Sequence, residues 1–284
     1  MKVITAKSAG FCFGVQNAVD TVFRLVKENT REQIYTYGPI IHNQEVVKEL
    51  ASLGVIVLNS EEELRKIKEG RIVIRSHGVK KNIYNLIQEK KLHVTDATCP
   101  FVKKIHNEVA KESGKGALII IVGNPKHPEV EGIRGWVSTE SFVVENPKEA
   151  QNLPFFGDEK VFIVAQTTFN YKKFQDMVEI ILEKGYDVSV LNTICNATRA
   201  RQEEALSIAK KVEVMLVIGD RHSSNTQKLF EICQNACKAT YYIQTLEDLN
   251  LNQLESVITV GITAGASTPN TIIEEVQSNV RIIF

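Results

Sequence analysis

The chain has 284 residues, 43% hydrophobic and 24% charged, an ordinary globular composition. Its 34 basic and 34 acidic residues balance to a formal charge of zero, which argues against a nucleic-acid coat or a membrane-surface protein. The longest apolar run, "ALIIIV" at 117–122, is strand length, well short of the ~20 residues of a membrane span.

The opening "MKVITAKSAGFCFGV" reads as a short alternating strand followed by glycines, without the apolar core of a signal peptide, so a cytoplasmic protein is expected. Apolar strands are then predicted at "KVITA", "QIYTYG", "VIVL", "RIVIRS", "HVTDA", "ALIIIVG", "VFIVAQ", "DVSVLN", "VMLVIG" and "VITVGI". Helical periodicity follows most of them, as in "NQEVVKELASLG", "KKNIYNLIQEKK" and "TQKLFEICQNACK". Strands alternating with helices predict an α/β fold with mostly parallel sheets, and the Val/Ile-rich strands suit burial on both faces.

Five cysteines, an odd number, favour thiols or metal ligands over a disulfide frame. Three of them, Cys12, Cys99 and Cys195, stand where a strand pattern gives way to a helix pattern. Their spacing, with weak boundaries at "EKKLH" and "KGYDV", predicts three α/β lobes at 14–96, 97–192 and 193–284, with 1–13 as an N-terminal strand and loop. Any one of the three cysteines is readily a core residue, and the repeated placement sets ligation beside packing as a reading. Cys233 and Cys237, four apart on a helical pattern, read as a packing pair.

In parallel α/β sheets, ligands bind beyond the carboxyl ends of the strands. Those positions hold His42, His77, His127, Glu129, Gln166, Thr167, Thr168, Ser223, Ser224, Asn225 and Ser267. Helix N-termini there would favour thiolates and phosphates, and imidazoles, hydroxyls and an amide can complete a diphosphate cradle. Thr168 and Ser267 also stand where helix N-caps would, and Glu129 falls in a first turn where an acid complements the dipole. His93 and His106 lie outside the pattern. No Walker-type phosphate loop is present. Three cysteines far apart in sequence suit neither a closed zinc site, which takes four ligands, nor a closely spaced iron–sulfur motif, so spacing leaves the metal open.

The segments "GFCFGV", "GPIIHN", "SHG", "DATCPFVKKIH", "HPEVEG", "QTT", "TICNATRARQ", "SSNT" and "TAGAS", in that order along the chain, resemble the LytB/IspH family of 4-hydroxy-3-methylbut-2-enyl diphosphate reductases. The resemblance implies a pseudo-threefold arrangement of the three lobes around a central [4Fe-4S] cluster. Cys12, Cys99 and Cys195 match its ligands, one iron stays open, and a [3Fe-4S] remnant is an accepted form. It implies that Glu129 donates a proton, that Thr167 stands near the substrate hydroxyl, and that His42, His77, His127, Thr168, Ser223, Ser224, Asn225 and Ser267 bind substrate. The implied reaction is reductive dehydroxylation to isopentenyl and dimethylallyl diphosphate, the last step of the non-mevalonate pathway. An external electron donor such as ferredoxin or flavodoxin is implied, because no flavin or nicotinamide fingerprint is present. The expected chain is a monomer with no nucleic-acid or membrane partner.

Overall fold

The computed structural model describes residues 2–28, 31–154, 157–250, 254 and 257–282. The outermost ends of the expected N-terminal segment and third lobe, residues 1 and 283–284, lie outside them. The chain begins β1 (Lys2–Thr5), α1 (Phe13–Lys27), β2 (Ile34–Tyr37), α2 (Gln44–Ser52), β3 (Ile56–Leu58), α3 (Glu61–Lys66), β4 (Arg71–Ile74), α4 (Lys81–Glu89) and β5 (His93–Asp96). It continues α5 (Pro100–Gly114), β6 (Leu118–Val122), α6 (Pro128–Arg134), β7 (Ser141–Val144), α7 (Pro147–Gln151), β8 (Lys160–Ala165), α8 (Tyr171–Leu182) and β9 (Asp187–Val190). It closes with α9 (Asn196–Ala209), β10 (Val214–Ile218), α10 (Ser224–Ala236), β11 (Ala239–Ile243), β12 (Thr259–Ala264) and α11 (Asn270–Ile282).

The strands form three parallel sheets of four, ordered β1-β12-β10-β11, β5-β4-β2-β3 and β9-β8-β6-β7. The expected three α/β lobes are therefore present, each built on its own sheet, and the sheets share one spatial strand order, with the N-terminal β1 taking the edge place that β5 and β9, the last strands of their sheets, hold in the other two. Two compact units arise from the packing. Met1–Gln16, His42–Val47 and Asn196–Phe284 form one, and Asn17–Ile41 with Lys48–Cys195 form the other. The first unit carries the sheet of β1, β10, β11 and β12, and the second carries the other two. The N-terminal strand β1 pairs with β12, Thr5 opposite Ile262.

The interior strands β6, β8, β10 and β12 are buried on both faces over most of their length, as apolar runs such as "LIIIV" and "VMLVI" require, while β2, "IYTY", is fully buried on one face only. Successive residues of β6 enter different cores: Leu118, Ile120 and Val122 pack with Val161, Phe174 and Met177, while Ile119 and Ile121 pack with Ile105, Val109 and Val130. Strand β10 does the same, with Leu216 and Ile218 in one core and Met215 and Val217 in another. Cys233 and Cys237 belong to that second core with Ala205, Ile208 and Leu229, so this pair packs.

All ten predicted strands are present, and two more appear that the sequence pattern did not signal: β7, "SFVV", and β11, "ATYYI". Both are edge strands, and most of their residues are half-buried. Such strands need no unbroken apolar run, and they lack the signal that marks their neighbours. Truncating Ile120 to Ala, at the fully buried centre of β6, is expected to cost about 2–5 kcal/mol. The check is a lower denaturant midpoint with an unchanged slope.

Candidate functional site

The shared strand order places chemistry at matching distances past the strand ends. The third strand in each sheet order, counted from β1, β5 or β9 as first, is followed at once by glycine: Gly219 after β10, Gly38 after β2 and Gly123 after β6. The fifth residue past these strands is Ser223, His42 or His127. The seventh is Asn225, Gln44 or Glu129. Past the second strands β12, β4 and β8, the third residue is Ser267, His77 or Thr168. Each of the three cysteines immediately precedes a helix: Cys12 before α1, Cys99 before α5 and Cys195 before α9. Each is also held the same way by its backbone. Cys12 N donates to Ala266 O (3.3 Å), Cys99 N to Ser76 O (3.0 Å) and Cys195 N to Thr167 O (3.2 Å), in every case the second residue past the neighbouring strand. None of the three forms a disulfide among the described residues, and all three are half-buried.

In the second unit, Glu129 lies in the first turn of α6 and is 1% exposed. His127 is the N-cap, and its Nδ1 accepts from Glu129 N at 3.2 Å, with Pro128 locking the first helical φ. A neutral ring that accepts at Nδ1 carries its proton on Nε2, which makes that nitrogen the donor of His127. The His127 ring meets that of His77 edge-on at 5.4 Å. Both Glu129 oxygens are engaged by one residue. Thr167 N donates to Oε1 at 2.6 Å and Thr167 Oγ1 donates to Oε2 at 2.8 Å. Burial pushes the Glu129 carboxyl from the usual 4.5 up to about 7, although the two Thr167 hydrogen bonds pull it down. Gln166 braces the same turn, accepting from Asn124 N at 3.1 Å and donating to Thr168 Oγ1 at 2.9 Å. Thr168 is not a helix cap as expected, because Asn170 caps α8 by accepting from Lys173 N.

In the first unit, α9 holds the Cys12 loop. The buried Arg201 donates to Gly10 O and Ala264 O, both at 2.9 Å, and Glu204 accepts from Lys7 N and Ser8 N at 2.9 Å each. Beyond β10, Ser223 caps α10 by accepting from Thr226 N, and Ser224 begins that helix half-buried. The turns are tight: a Cβ on Gly265 would lie within 2.0 Å of Thr226 Oγ1, and Gly219 has φ +153. Asn225 and Ser267 are buried there. Neither the Asn225 amide nor the Ser267 hydroxyl has a hydrogen-bond partner among the described residues. Ser267 does not cap a helix, since α11 starts only at Asn270. Asp220 accepts from Gln44 N (3.1 Å) and His222 N (2.8 Å), fixing the start of α2 in this unit. His42 is half-buried one residue before Asn43, whose Oδ1 accepts from Val46 N.

Three supporting residues escaped the sequence reading. Arg201 and Glu204 lie on a helix whose buried positions Thr198, Arg201 and Gln202 break any apolar stripe. His106, given no role, stacks on Trp136 at 5.2 Å, and its ring presses on Gly78 (φ +71), beside His77. The only available signal was the interruption of an amphipathic pattern by polar residues.

A family model described as "LytB protein" matches residues 3–281. The chain belongs to the LytB family. This LytB chain is 46% identical over 284 residues to the 4-hydroxy-3-methylbut-2-enyl diphosphate reductase of Thermoanaerobacter sp. (strain X514), covering all of this chain and 98% of that protein. It is 44% identical over 281 residues to the reductase of the same name from Caldanaerobacter subterraneus subsp. tengcongensis, covering 99% and 97%. Among solved structures it resembles (E)-4-hydroxy-3-methyl-but-2-enyl diphosphate reductase, "the terminal enzyme of the non-mevalonate pathway". That match has 41% identity, a TM-score of 0.69, and covers 99% of this chain and 100% of the other. It also resembles the reductase from Plasmodium falciparum at 29% identity and a TM-score of 0.91, covering 99% and 87%. No helix among the described residues is long and apolar enough to cross a membrane.

The Glu129 environment sets a sign for stability against pH. Its folded pKa, about 7, lies above its usual 4.5. The neutral carboxyl is the favoured folded form, so this stability is complete below pH 4.5 and is lost as pH rises through 7. The loss attributable to Glu129 amounts to about 3 kcal/mol. Unfolding midpoints measured across that window should fall less in Glu129→Gln than in the wild type.

Proposed function

We propose that the chain reductively removes the hydroxyl group of (E)-4-hydroxy-3-methylbut-2-enyl diphosphate, giving isopentenyl and dimethylallyl diphosphate. The full-length kinship with reductases of this name supports the reading. The observation that carries it is the buried Glu129–Thr167 pair, an acid poised to hold a proton near neutrality.

Cys12, Cys99 and Cys195 are the proposed ligands of one [4Fe-4S] cluster that keeps one iron without a protein ligand and is recoverable as [3Fe-4S]. The donor set fits: three thiols outside any disulfide among the described residues, each anchored by its own N–H at a strand-to-helix seam, each at the start of a helix of 14 or 15 residues. Helix N-termini favour the negative charge of thiolate ligands. When bound, such a cluster supplies electrons one at a time and a Lewis-acidic open iron.

The chain's residues do the rest. In the protonated acid the contact reverses: Glu129 Oε2–H donates to Thr167 Oγ1, which frees the Thr167 hydroxyl to give its own proton to the departing substrate hydroxyl, which leaves as water, while Thr167 takes the Glu129 proton in its place. A C–O bond breaks, a second proton forms a C–H bond at either end of the allylic carbons, and the two electrons come from an external donor such as ferredoxin or flavodoxin. His42, His77, His127, Thr168, Ser223, Ser224, Asn225 and Ser267 hold the diphosphate end of the substrate. The Nε2–H of His127, the amide of Asn225 and the hydroxyl of Ser267 supply hydrogen bonds, and the last two gain partners they otherwise lack among the described residues. The chain acts as a cytoplasmic monomer.

Anaerobically purified wild-type protein should contain about four irons per chain, and Cys99→Ser should lose them because an oxygen ligand replaces thiolate poorly. Wild-type iron content in the variant would remove Cys99 from the ligand set. Glu129→Gln should retain its iron yet turn over roughly 10²–10⁴-fold more slowly, the usual weight of a general acid. Near-normal steady-state turnover would exclude Glu129 as the donor.

A further inference from the structure

A cavity of about 290 Å³ opens past the carboxyl ends of β2 and β4, lined by Tyr37, Gly38, Arg75, Lys80, Glu131 and Gly132 among others. None of the proposed catalytic, binding or cluster-holding side chains lines it, although Pro128, between His127 and Glu129, stands on its wall. This is the point in the sheet order β3-β2-β4-β5 where the chain reverses direction across the sheet, the usual place for a ligand in a parallel α/β layer. The equivalent points in the other two sheets are filled from within. After β8 the matching residue is Gln166, whose amide is satisfied by Asn124 N and Thr168 Oγ1. After β12 it is Gly265, with the Thr226 hydroxyl pressed against it.

After β4 the matching residue is Arg75, and no hydrogen bond completes its Nε, which is buried and without a partner among the described residues; Tyr37 and Glu131 act on the guanidinium only through space. The neighbouring carboxylates are committed elsewhere: Glu131 to Lys80 at 3.7 Å, and Glu61 to Arg65 and to Asn82 Nδ2. Glu62 is exposed on the rim. Tyr37 offers a phenol that burial keeps neutral. The guanidinium packs against Gly38 (φ +72), where a Cβ would come within 2.1 Å of Nη1, so the missing side chain leaves it room. The adjacent α4 has Lys80 as its N-cap with no side-chain hydrogen bond, which leaves the N–H groups of its first two residues without a side-chain acceptor at the cap. A half-buried guanidinium whose Nε has no hydrogen-bond partner among the described residues keeps donors to offer, and a planar fork is matched by a carboxylate or phosphate.

We propose that this cavity binds a small oxyanion, a carboxylate or phosphate group on a compact polar molecule, received by Arg75. The proposal does not rest on the reductase reading. Its test is calorimetric titration of the full-length, anaerobically purified Asn225→Ala/Ser267→Ala protein, in which the other proposed anion cradle is disabled. The probes are inorganic phosphate and, separately, succinate. Saturable one-to-one binding of either probe at about 1 mM or tighter is expected, weakened at least about tenfold when Arg75→Gln is added. Arg75→Gln installs the residue that stands at the matching place after β8, and Arg75→Met serves as a second variant should the first fail to fold. Binding of phosphate alone identifies a phosphate-bearing ligand, and binding of succinate alone a carboxylate. No saturable binding of either, or binding indifferent to both Arg75 substitutions, overturns the proposal.

Discussion

A carboxyl that has lost its water is costly to ionise, and the Glu129 site turns on how far two hydrogen bonds offset that cost. Thr167 supplies both, one from its amide and one from its hydroxyl. Neither is a full positive charge, so burial prevails and the group titrates near neutrality. An arginine or lysine in place of Thr167 would have held the acid ionised and useless as a donor. The surrounding architecture serves this pairing. Pro128 and His127 set the first turn of α6, the end of β8 delivers Thr167, and Gln166 locks the turn between them. The carbonyl of Thr167 also accepts from Cys195 N, so one residue ties the proposed proton donor to a proposed cluster ligand.

The same frame occurs three times with different chemistry mounted on it. The sheets share one spatial strand order, each third strand is followed by glycine, and each sheet anchors a cysteine through the residue two past its second strand. At the seventh place past the third strand stand Glu129, Asn225 and Gln44: an acid, an amide with no partner among the described residues, and an exposed amide. Backbone geometry fixes the offsets, and the side chains at those offsets divide the labour between proton transfer, anion binding and support. The crevice at Arg75 belongs to this comparison, as the one member of the three matching places left open.

Much of the fold was legible from the pattern of residues. Long Val/Ile runs such as "ALIIIV" have few alternatives to a strand buried on both faces, and all ten predicted strands formed. The edge strands β7 and β11 escaped because half-buried strands can alternate or mix polarity without penalty. The seam position of the three cysteines was visible in sequence, but the shared backbone anchor was not, since a main-chain hydrogen bond leaves no mark on residue type. Roles for Glu129 and Thr167 came from family resemblance. Their mutual contact, 38 positions apart, could not be read from periodicity. Arg201, Glu204 and His106 were passed over because a buried polar residue on a helix looks, in sequence, like a flaw in the apolar stripe.

The protonation state of Glu129 in the folded protein is the measurement on which the account most depends. Difference infrared spectroscopy between wild type and Glu129→Gln, taken as a function of pH, isolates the carbonyl stretch of a single protonated carboxyl. The account predicts a band that is present at pH 6 and lost with a midpoint at about 7. A band already absent well below neutrality, with a midpoint at the usual 4.5, would contradict it.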